Sequence, residues 1–210
     1  MFKIAIIGLL LASYIHAAAN TYTNKTKKLF SICSSCNRPL RFYDNIPILS
    51  YILLHGRCRY CNEPIDSSSI IYELITPTLF ILLYTSNKHL IYYLILLTLL
   101  YCCKTDLNDY TIPDRVHFIL ALLLLITPYK PSIFYALIYS LPLLFLSLLN
   151  KVGFGDAKLL FFLGLLLKET IILIMLIACI SALCYTIIKR CKVVPLVPFI
   201  LIGYNISIFF

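Results

Sequence analysis

Long apolar runs separated by short polar segments dominate the hydrophobic pattern of the chain. A membrane-spanning helix needs about 20 mostly apolar residues, or about 17 at the short limit. Eight stretches reach or approach this length: 2–19, 69–85, 88–103, 116–128, 132–149, 157–167, 170–188 and 193–210. Three of them are short and need extension into their polar flanks: 88–103, 116–128 and 157–167. The pattern predicts an all-α polytopic membrane protein with about eight transmembrane helices.

The composition agrees with this prediction. Of the 210 residues, 61% are hydrophobic and 13% are charged, whereas soluble domains have about 45–50% apolar and about 25% charged residues. So few charged residues cannot cover a surface that faces water. The composition therefore excludes a disordered chain, a collagen-like fibre and a soluble disulfide-rich scaffold.

The basic residues are distributed unequally between alternating loops. If residues 20–68 are cytoplasmic, fourteen of the eighteen lysines and arginines lie on the cytoplasmic side. Because basic loops are retained in the cytoplasm, this asymmetry predicts that both termini lie on the opposite side. The net charge of +9 then reflects topology and attraction to anionic lipid, not nucleic-acid binding.

The N-terminal apolar run has two interpretations. Lys3, the apolar run and the small residues 17–19 are typical of a cleavable signal peptide, which would place the next segment in an oxidising compartment. The seven basic residues in 20–68 favour an uncleaved helix instead, because such a segment is retained in the cytoplasm. We therefore predict a transmembrane helix at 1–19, a cytoplasmic domain at 20–68 and a polytopic membrane domain at 69–210.

Two C-x-x-C pairs lie in the predicted cytoplasmic domain: Cys33 with Cys36, and Cys58 with Cys61, with 21 residues between the pairs. This spacing resembles that of a zinc ribbon, in which four thiolates surround one zinc ion. Two disulfides or four free thiols are the alternatives, and a reducing cytoplasm favours the metal. Four sulfur ligands leave no open position, so the predicted zinc is structural and stabilises a small domain with little core of its own.

The other cysteines and the histidines show no ligand pattern. The five remaining cysteines lie in or at the ends of apolar runs, where small packing residues are expected. The four histidines are scattered, and we interpret them as interfacial or packed residues: His16, His55, His89 and His117.

Four aspartates fall in two short loops on the predicted cytoplasmic face. Asp106, Asp109 and Asp114 lie in the first loop and Asp156 in the second. Ionisable groups at membrane-embedded helix ends are costly, which makes them candidates for function. We interpret Asp109 and Asp114 as turn or cap residues, with Asp114 as the N-cap of a helix that begins at Arg115. Asp106 and Asp156 each sit at a helix end.

Asp106 and Asp156 on facing helix ends predict a definite chemistry. Two carboxyl groups that share a site do not both ionise easily, so one keeps its proton and polarises a peptide carbonyl while the other deprotonates water. Such a pair hydrolyses a peptide bond without a covalent intermediate. The sequence contains no Ser-His-Asp elbow, Walker loop or H-E-x-x-H motif that competes for this role.

Three motifs together resemble the type IV prepilin peptidase family, the aspartyl leader peptidases of the G-x-G-D class. Residues 153–158 read G-F-G-D-A-K, similar to the family's G-x-G-D-x-K, and residues 106–114 match its D-x5-I-P-D. Residues 44–51, together with the two cysteine pairs, resemble the family's cytoplasmic domain. The resemblance extends over nearly the whole chain.

The resemblance implies a role for each of these residues. Asp106 and Asp156 correspond to the family's catalytic dyad, and the four cysteines of the two pairs correspond to its zinc ligands. It also implies that the substrates are type IV prepilins or type II secretion pseudopilins in the bacterial inner membrane, cleaved by an active site that faces the cytoplasm. A second implied activity is methylation of the new N-terminus with S-adenosylmethionine.

The first helix departs from the family pattern. Residues 12–16 read A-S-Y-I-H, where similar proteins have Gly-Ser-Phe followed by Asn and Arg, and Ser34 replaces a proline after the first cysteine. These changes affect the region linked to methylation, and the residues that bind S-adenosylmethionine stay unassigned.

Two functions without peptidase activity are the alternatives. A transporter predicts acidic residues deep within spans, whereas all acidic residues except Glu73 lie in or beside loops. A zinc-stabilised membrane adaptor leaves the two aspartate loops unexplained.

Overall fold

Helices make up most of the chain in the computed structural model, which describes residues 1–23, 33, 35–36, 38–149, 152–191 and 193–209. The elements in chain order are α1 (Phe2–Thr23), a 3-10 helix (Phe42–Asn45), α2 (Leu49–Leu53), α3 (Ser68–Thr85), α4 (Leu90–Asp109), α5 (Asp114–Ile126), α6 (Ile133–Leu148), α7 (Phe154–Leu167), α8 (Thr170–Lys189) and α9 (Val197–Ser207). The predicted all-α architecture, with a cysteine-bearing segment between the first two long helices, is confirmed.

Each of the eight predicted apolar stretches contains a helix, but the helices differ in length. Within the described residues, four helices are long and apolar enough to cross a membrane: α1, α3, α4 and α8. The helices α6 and α9 are apolar and shorter, with 16 and 11 residues. Since a helix rises about 1.5 Å per residue, α9 is about 17 Å long, against a bilayer core of about 30 Å.

Around the first aspartate motif, two helix boundaries differ from the sequence prediction. Asp106 lies inside the last turn of α4, not in a loop, because α4 continues to Asp109. The left-handed Tyr110 (φ 53°) ends the helix, and its N–H donates to the Asp106 carbonyl. Asp114 is the first residue of α5 and Pro113 is its N-cap; the fixed φ of proline suits a helix start.

Residues Met1–Lys88 form one compact unit, in which α1 and α3 pack antiparallel. His16 Nε2 lies 2.9 Å from Ser68 Oγ near one end of the pair. Farther along, Gly8 faces Pro77, and a Cβ on Gly8 would lie only 3.0 Å from Pro77 Cα. The two backbones therefore approach closely, as small residues allow between membrane helices. The cysteine-bearing segment joins α1 and α3 at the end near His16.

Residues His89–Phe210 form a second compact unit, which contains α4 to α9. Neighbouring helices in it pack closely: a Cβ on Gly164 of α7 would lie 2.6 Å from Ala136 Cα of α6. The helix α9 packs against α4, where the Tyr204 hydroxyl donates a hydrogen bond of 2.6 Å to the Tyr92 carbonyl. The helix α5 packs against both α4 and α7, so the helices that carry the two aspartates of interest share a neighbour.

Candidate active site and metal centre

Asp106 is a buried carboxyl group in the last turn of α4, with only 5% of the residue exposed. Its Oδ2 accepts a hydrogen bond of 2.9 Å from the N–H of Val197, the first residue of α9. The first N–H groups of a helix have no partner within the helix, and the helix N-terminus favours a nearby negative charge. Asp106 therefore lies in the last turn of α4 and also caps the N-terminus of α9.

Asp156 lies in the first turn of α7, directly ahead of the apolar run at 157–167 and therefore outside that predicted span. Burial and the neighbouring charge of Asp106 raise the pKa of Asp156 to about 6, while the N–H of Gly153 favours its ionised form. The structure thus brings Asp106 and Asp156 close enough for their charges to interact. Such a pair titrates as a unit and holds one proton more readily than none.

The two glycines before Asp156 have different packing neighbours. A Cβ on Gly153 would lie 3.1 Å from Asp156 Oδ2, so the absence of a side chain leaves room for the carboxylate beside the backbone. A Cβ on Gly155 would lie 3.1 Å from Ile112 Cβ. Glycine at this second position therefore lets the segment before α5 pack directly on the first turn of α7.

The helix α5 is tied to the same turn by two polar contacts. His117 Nε2 lies 3.2 Å from the Gly155 carbonyl oxygen, and since a carbonyl only accepts, His117 carries its proton on Nε2. Lys158 Nζ lies 3.2 Å from Asp114 Oδ1. His117 is 7% exposed, so its hydrogen bond is sheltered from water. These contacts hold the turn that carries Asp156 against the start of α5.

Sequence reasoning missed both His117 and the start of α9 as neighbours of the aspartates. One signal was available for His117: it follows Asp114 by three positions in α5 and so shares a helix face with it. No comparable signal indicates that Val197, 91 positions after Asp106, supplies a hydrogen bond to it. Asp109 is exposed and Asp114 has a side chain that is 89% exposed, so neither is sheltered as Asp106 is.

The four cysteines of the two C-x-x-C pairs come together in the first compact unit. Their sulfur atoms all lie within 4.8 Å of one another, and Cys33 Sγ lies 3.7 Å from Cys61 Sγ. In a tetrahedral site with Zn–S bonds of about 2.3 Å, neighbouring sulfurs are separated by about 3.8 Å. The size of the cluster and its all-sulfur chemistry therefore fit a zinc ion.

Backbone hydrogen bonds shape the turn at each cysteine pair. Cys33 N–H donates to the Arg38 carbonyl over 3.0 Å, and Cys58 N–H donates to the Glu63 carbonyl over 2.8 Å. The second turn is closed further by an antiparallel bridge between Arg57 and Pro64. Both pairs thus lie in short turns that direct their two sulfurs toward the same point.

The electrostatics of the cysteine cluster require a cation if all four sulfurs are to ionise. Burial opposes ionisation of Cys33, but the N–H groups of Cys36 and Ser35 favour its thiolate, and its pKa is lowered to about 7. The N–H of Glu63 favours the Cys61 thiolate, yet burial and the neighbouring sulfurs raise the pKa of Cys61 to about 12. Thiolates this close repel one another, and a bound metal ion removes that penalty.

Residues 44–51, which lie between the cysteine pairs, are held by two buried carboxylates. Asp44 Oδ1 accepts hydrogen bonds from Arg59 Nη2 and Nε at 2.8 and 3.1 Å. Glu73 Oε2 in α3 accepts a hydrogen bond of 2.7 Å from Ile48 N–H. The first contact joins this stretch to the second cysteine turn, and the second joins it to the helix pair.

Two family models match consecutive parts of the chain. A model described as the bacterial peptidase A24 N-terminal domain matches residues 6–87, and the type IV leader peptidase family matches residues 93–187. The first match contains the cysteine cluster and the second contains both Asp106 and Asp156. No solved structure is significantly similar to the chain.

Curated relatives named prepilin leader peptidase/N-methyltransferase are similar to parts of the chain. The Vibrio cholerae protein is 52% identical over 44 residues, which cover 21% of this chain and 17% of the relative. The Klebsiella pneumoniae protein is 38% identical over 88 residues, which cover 40% and 39%. The Neisseria gonorrhoeae protein is 44% identical over 50 residues, which cover 24% and 18%. The aligned regions thus span well under half the length of these relatives.

Proposed function

We propose, because the chain belongs to the bacterial type IV leader peptidase family, that it is an aspartic endopeptidase. Its substrates in this proposal are type IV prepilins or type II secretion pseudopilins, from which it removes the basic leader peptide. The single observation that carries the proposal is the carboxyl pair formed by Asp106, which is buried, and Asp156, whose pKa is raised by burial and by the neighbouring charge of Asp106. Neither an adaptor nor a transporter accounts for such a carboxyl pair in a region that matches a peptidase family.

The proposed reaction uses the pair as one acid and one base. The ionised carboxylate removes a proton from water, and the water oxygen adds to the scissile carbonyl carbon while the protonated carboxyl group donates to the carbonyl oxygen. Collapse of the resulting tetrahedral diol breaks the C–N bond, and the leaving nitrogen takes up a proton from the pair. The Val197 N–H orients the Asp106 carboxylate throughout, and the turn held by His117 orients Asp156.

The proposed site lies at the cytoplasmic boundary of the inner membrane. This orientation is supported by the excess of basic residues in the loops on the same side as both aspartate motifs. A prepilin has a matching layout, with a basic leader retained in the cytoplasm and an apolar helix in the bilayer. A mostly apolar groove beside α7 also fits lateral approach of such a helix; it is lined by Ser140, Leu144, Ala157, Lys158, Phe161 and Phe162.

The proposal includes a structural zinc ion held by Cys33, Cys36, Cys58 and Cys61. Zinc would supply the charge that holds four thiolates together, and it would crosslink the two turns of the segment between α1 and α3. It has no open coordination position for the reaction, so the peptidase chemistry is left to the aspartates.

Methylation of the new N-terminus with S-adenosylmethionine is a second proposed activity. It is favoured by the name of the relatives, which includes N-methyltransferase, and by the match to the family's N-terminal domain. We assign no residue of this chain to the methyl donor. His16, which stands where the first helix departs from the family pattern, contacts Ser68 and the Tyr72 ring.

Cleavage in proteoliposomes tests the proposed substrate. The full-length chain should cleave a prepilin that retains its apolar helix far better than a soluble peptide with only the leader and the cut site. The matched controls are the same two substrates with Asp156→Asn enzyme. Equal turnover on both substrates would contradict lateral recognition of a membrane helix, and an absence of cleavage would favour the adaptor or transporter.

A further inference from the structure

Exposed apolar side chains are concentrated in residues 43–53, outside the long apolar helices. We call them the apolar patch: Tyr43, Ile46, Leu49, Ile52 and Leu53, with exposures of 44%, 37%, 56%, 62% and 73%. Three of them lie on α2, which has only five residues and is too short to span a bilayer. Leu49, Ile52 and Leu53 share one face of α2 by their spacing, and exposed apolar surface concentrated outside a membrane span indicates an interaction site.

Arginines surround the apolar patch. The guanidinium groups of Arg41 and Arg59 lie 5.7 and 5.2 Å from the centroid of the Tyr43 ring, and Arg41 also donates to the Tyr43 hydroxyl. Exposed Arg57 directly follows the turn at residues 54–56 that ends α2. The carboxylate that Arg59 binds, Asp44, is itself buried. The rim of the patch is therefore positively charged.

The apolar patch is held beside a helix that is long and apolar enough to span a membrane. Ile48, which directly precedes α2, donates its N–H to Glu73 over 2.7 Å, and Glu73 lies in the second turn of α3. The start of α2 is thereby fixed alongside the end of the α1–α3 pair. When α3 crosses a bilayer, α2 lies at the level of the headgroups.

We infer that the apolar patch and its arginines bind the anionic surface of the lipid bilayer. Leu49, Ile52 and Leu53 enter the boundary between headgroups and acyl chains, as the apolar face of an interfacial helix does to a depth of about 5–10 Å. Tyr43 lies at the interface, where aromatic rings with a polar tip are favoured, and Arg41 and Arg57 pair with anionic headgroups. The segment that carries the cysteine cluster is thus anchored to the membrane at a third point besides α1 and α3.

Fluorescence quenching tests this inference, because the chain contains no tryptophan. A single tryptophan is introduced by Leu53→Trp in the full chain, with Glu63→Trp, at an exposed position in the second cysteine turn, as the matched control. Each variant is reconstituted in phosphatidylcholine vesicles with or without phosphatidylglycerol, and bound zinc is measured to verify the folded segment. The quenchers are acyl-chain-brominated lipid and aqueous acrylamide.

We expect brominated lipid to quench the Leu53→Trp variant and acrylamide to quench it weakly, with the reverse for Glu63→Trp. Adding Arg41→Gln and Arg57→Gln to Leu53→Trp should remove the dependence of lipid quenching on phosphatidylglycerol. Free access of acrylamide to Leu53→Trp would mean that the patch faces water and would overturn the inference. Protection from both quenchers would mean that protein covers the patch, either a second copy or a substrate helix, and would overturn it equally.

Discussion

The cysteine cluster and the aspartate pair are assembled in contrasting ways. Cys33 and Cys61 are 28 positions apart and meet through local turns. Asp106 and Asp156 are 50 positions apart and lie on different helices, both of which contact α5. The first site depends on short backbone hydrogen bonds and, in our proposal, on a bound cation, whereas the second depends on helix packing. A change that destroys one site should therefore leave the other largely intact.

The largest expected effect is on cleavage, from removing the acid–base function of the pair. Asp106→Asn and Asp156→Asn should each reduce the cleavage rate by about a thousandfold, since positioned acid–base groups contribute about 10²–10⁴. The asparagine oxygen can still accept from Val197 N–H, so the cap of α9 is retained. Prepilin cleavage and bound zinc are measured for each variant, and exposed Asp109→Asn is the control. Cleavage by either variant within about tenfold of the original chain would contradict the dyad.

The next largest effect is on the metal. Cys58→Ser should release one zinc ion per chain and make the segment between α1 and α3 sensitive to protease, because a structural metal supplies much of the folding energy of a small domain. Cleavage should fall less than in the aspartate variants, because the aspartates belong to the other compact unit. Elemental analysis and limited proteolysis measure the outcome.

The control for the metal prediction is Cys184→Ser, an exposed cysteine outside the cluster. It should retain zinc and protease resistance. If the unsubstituted protein binds no zinc, the four thiols do not form a metal centre. The same conclusion would follow if the Cys58→Ser variant retained its zinc.

The contrast between the two sites also explains how much the sequence alone could predict. The cysteine cluster follows from spacing, because a C-x-x-C turn directs both sulfurs to one point whatever surrounds it. The positions of the eight longer helices in the described residues follow from the apolar runs. The exact end of α4 could not be predicted from the sequence. The mostly polar stretch from Lys104 to Asp109 suggests a loop, but burial of Lys104, Thr105 and Asp106 keeps that turn in the helix.

The surroundings of the aspartate pair depend on contacts distant in sequence. A hydrogen bond from α9 to Asp106 spans 91 positions, and no local pattern specifies which helix start will lie there. His117 is similar, since its ring occupies an apolar helix face and only the packing of α5 on α7 gives it a carbonyl partner. Local motifs indicate candidate reactive groups, whereas the contacts around those groups depend on packing between distant helices.

A moderate effect is expected from loosening the turn that carries Asp156. His117→Ala removes a sheltered hydrogen bond to the Gly155 carbonyl and should lower the free energy of unfolding by about 1 kcal/mol. If the same bond orients Asp156, as we propose, the cleavage rate should fall by about tenfold with little change in KM. Thermal unfolding and steady-state cleavage measure the two effects.

A conservative variant separates positioning from general stability. His117→Gln keeps a side-chain N–H donor and should restore part of the cleavage rate, while exposed His55→Asn should have no effect on it. If His117→Ala lowers the unfolding temperature but leaves the cleavage rate unchanged, the contact is structural and does not orient Asp156.

The smallest expected effect is at the exposed ion pair beside the same turn. Lys158 Nζ and Asp114 Oδ1 are 3.2 Å apart, but their side chains are 41% and 89% exposed, and such pairs contribute about 0–1 kcal/mol. Lys158→Gln and Asp114→Asn should therefore each change the unfolding temperature little, and the double variant should show a coupling energy below about 0.5 kcal/mol that salt weakens further. The cleavage rate of all three variants should stay within about threefold of that of the unsubstituted chain, because so small a coupling energy changes a rate by no more than that. A tenfold loss in Lys158→Gln without a matching loss in Asp114→Asn would show that Lys158 acts on Asp156 or on the substrate, and the aspartate site would then extend to a third charged residue.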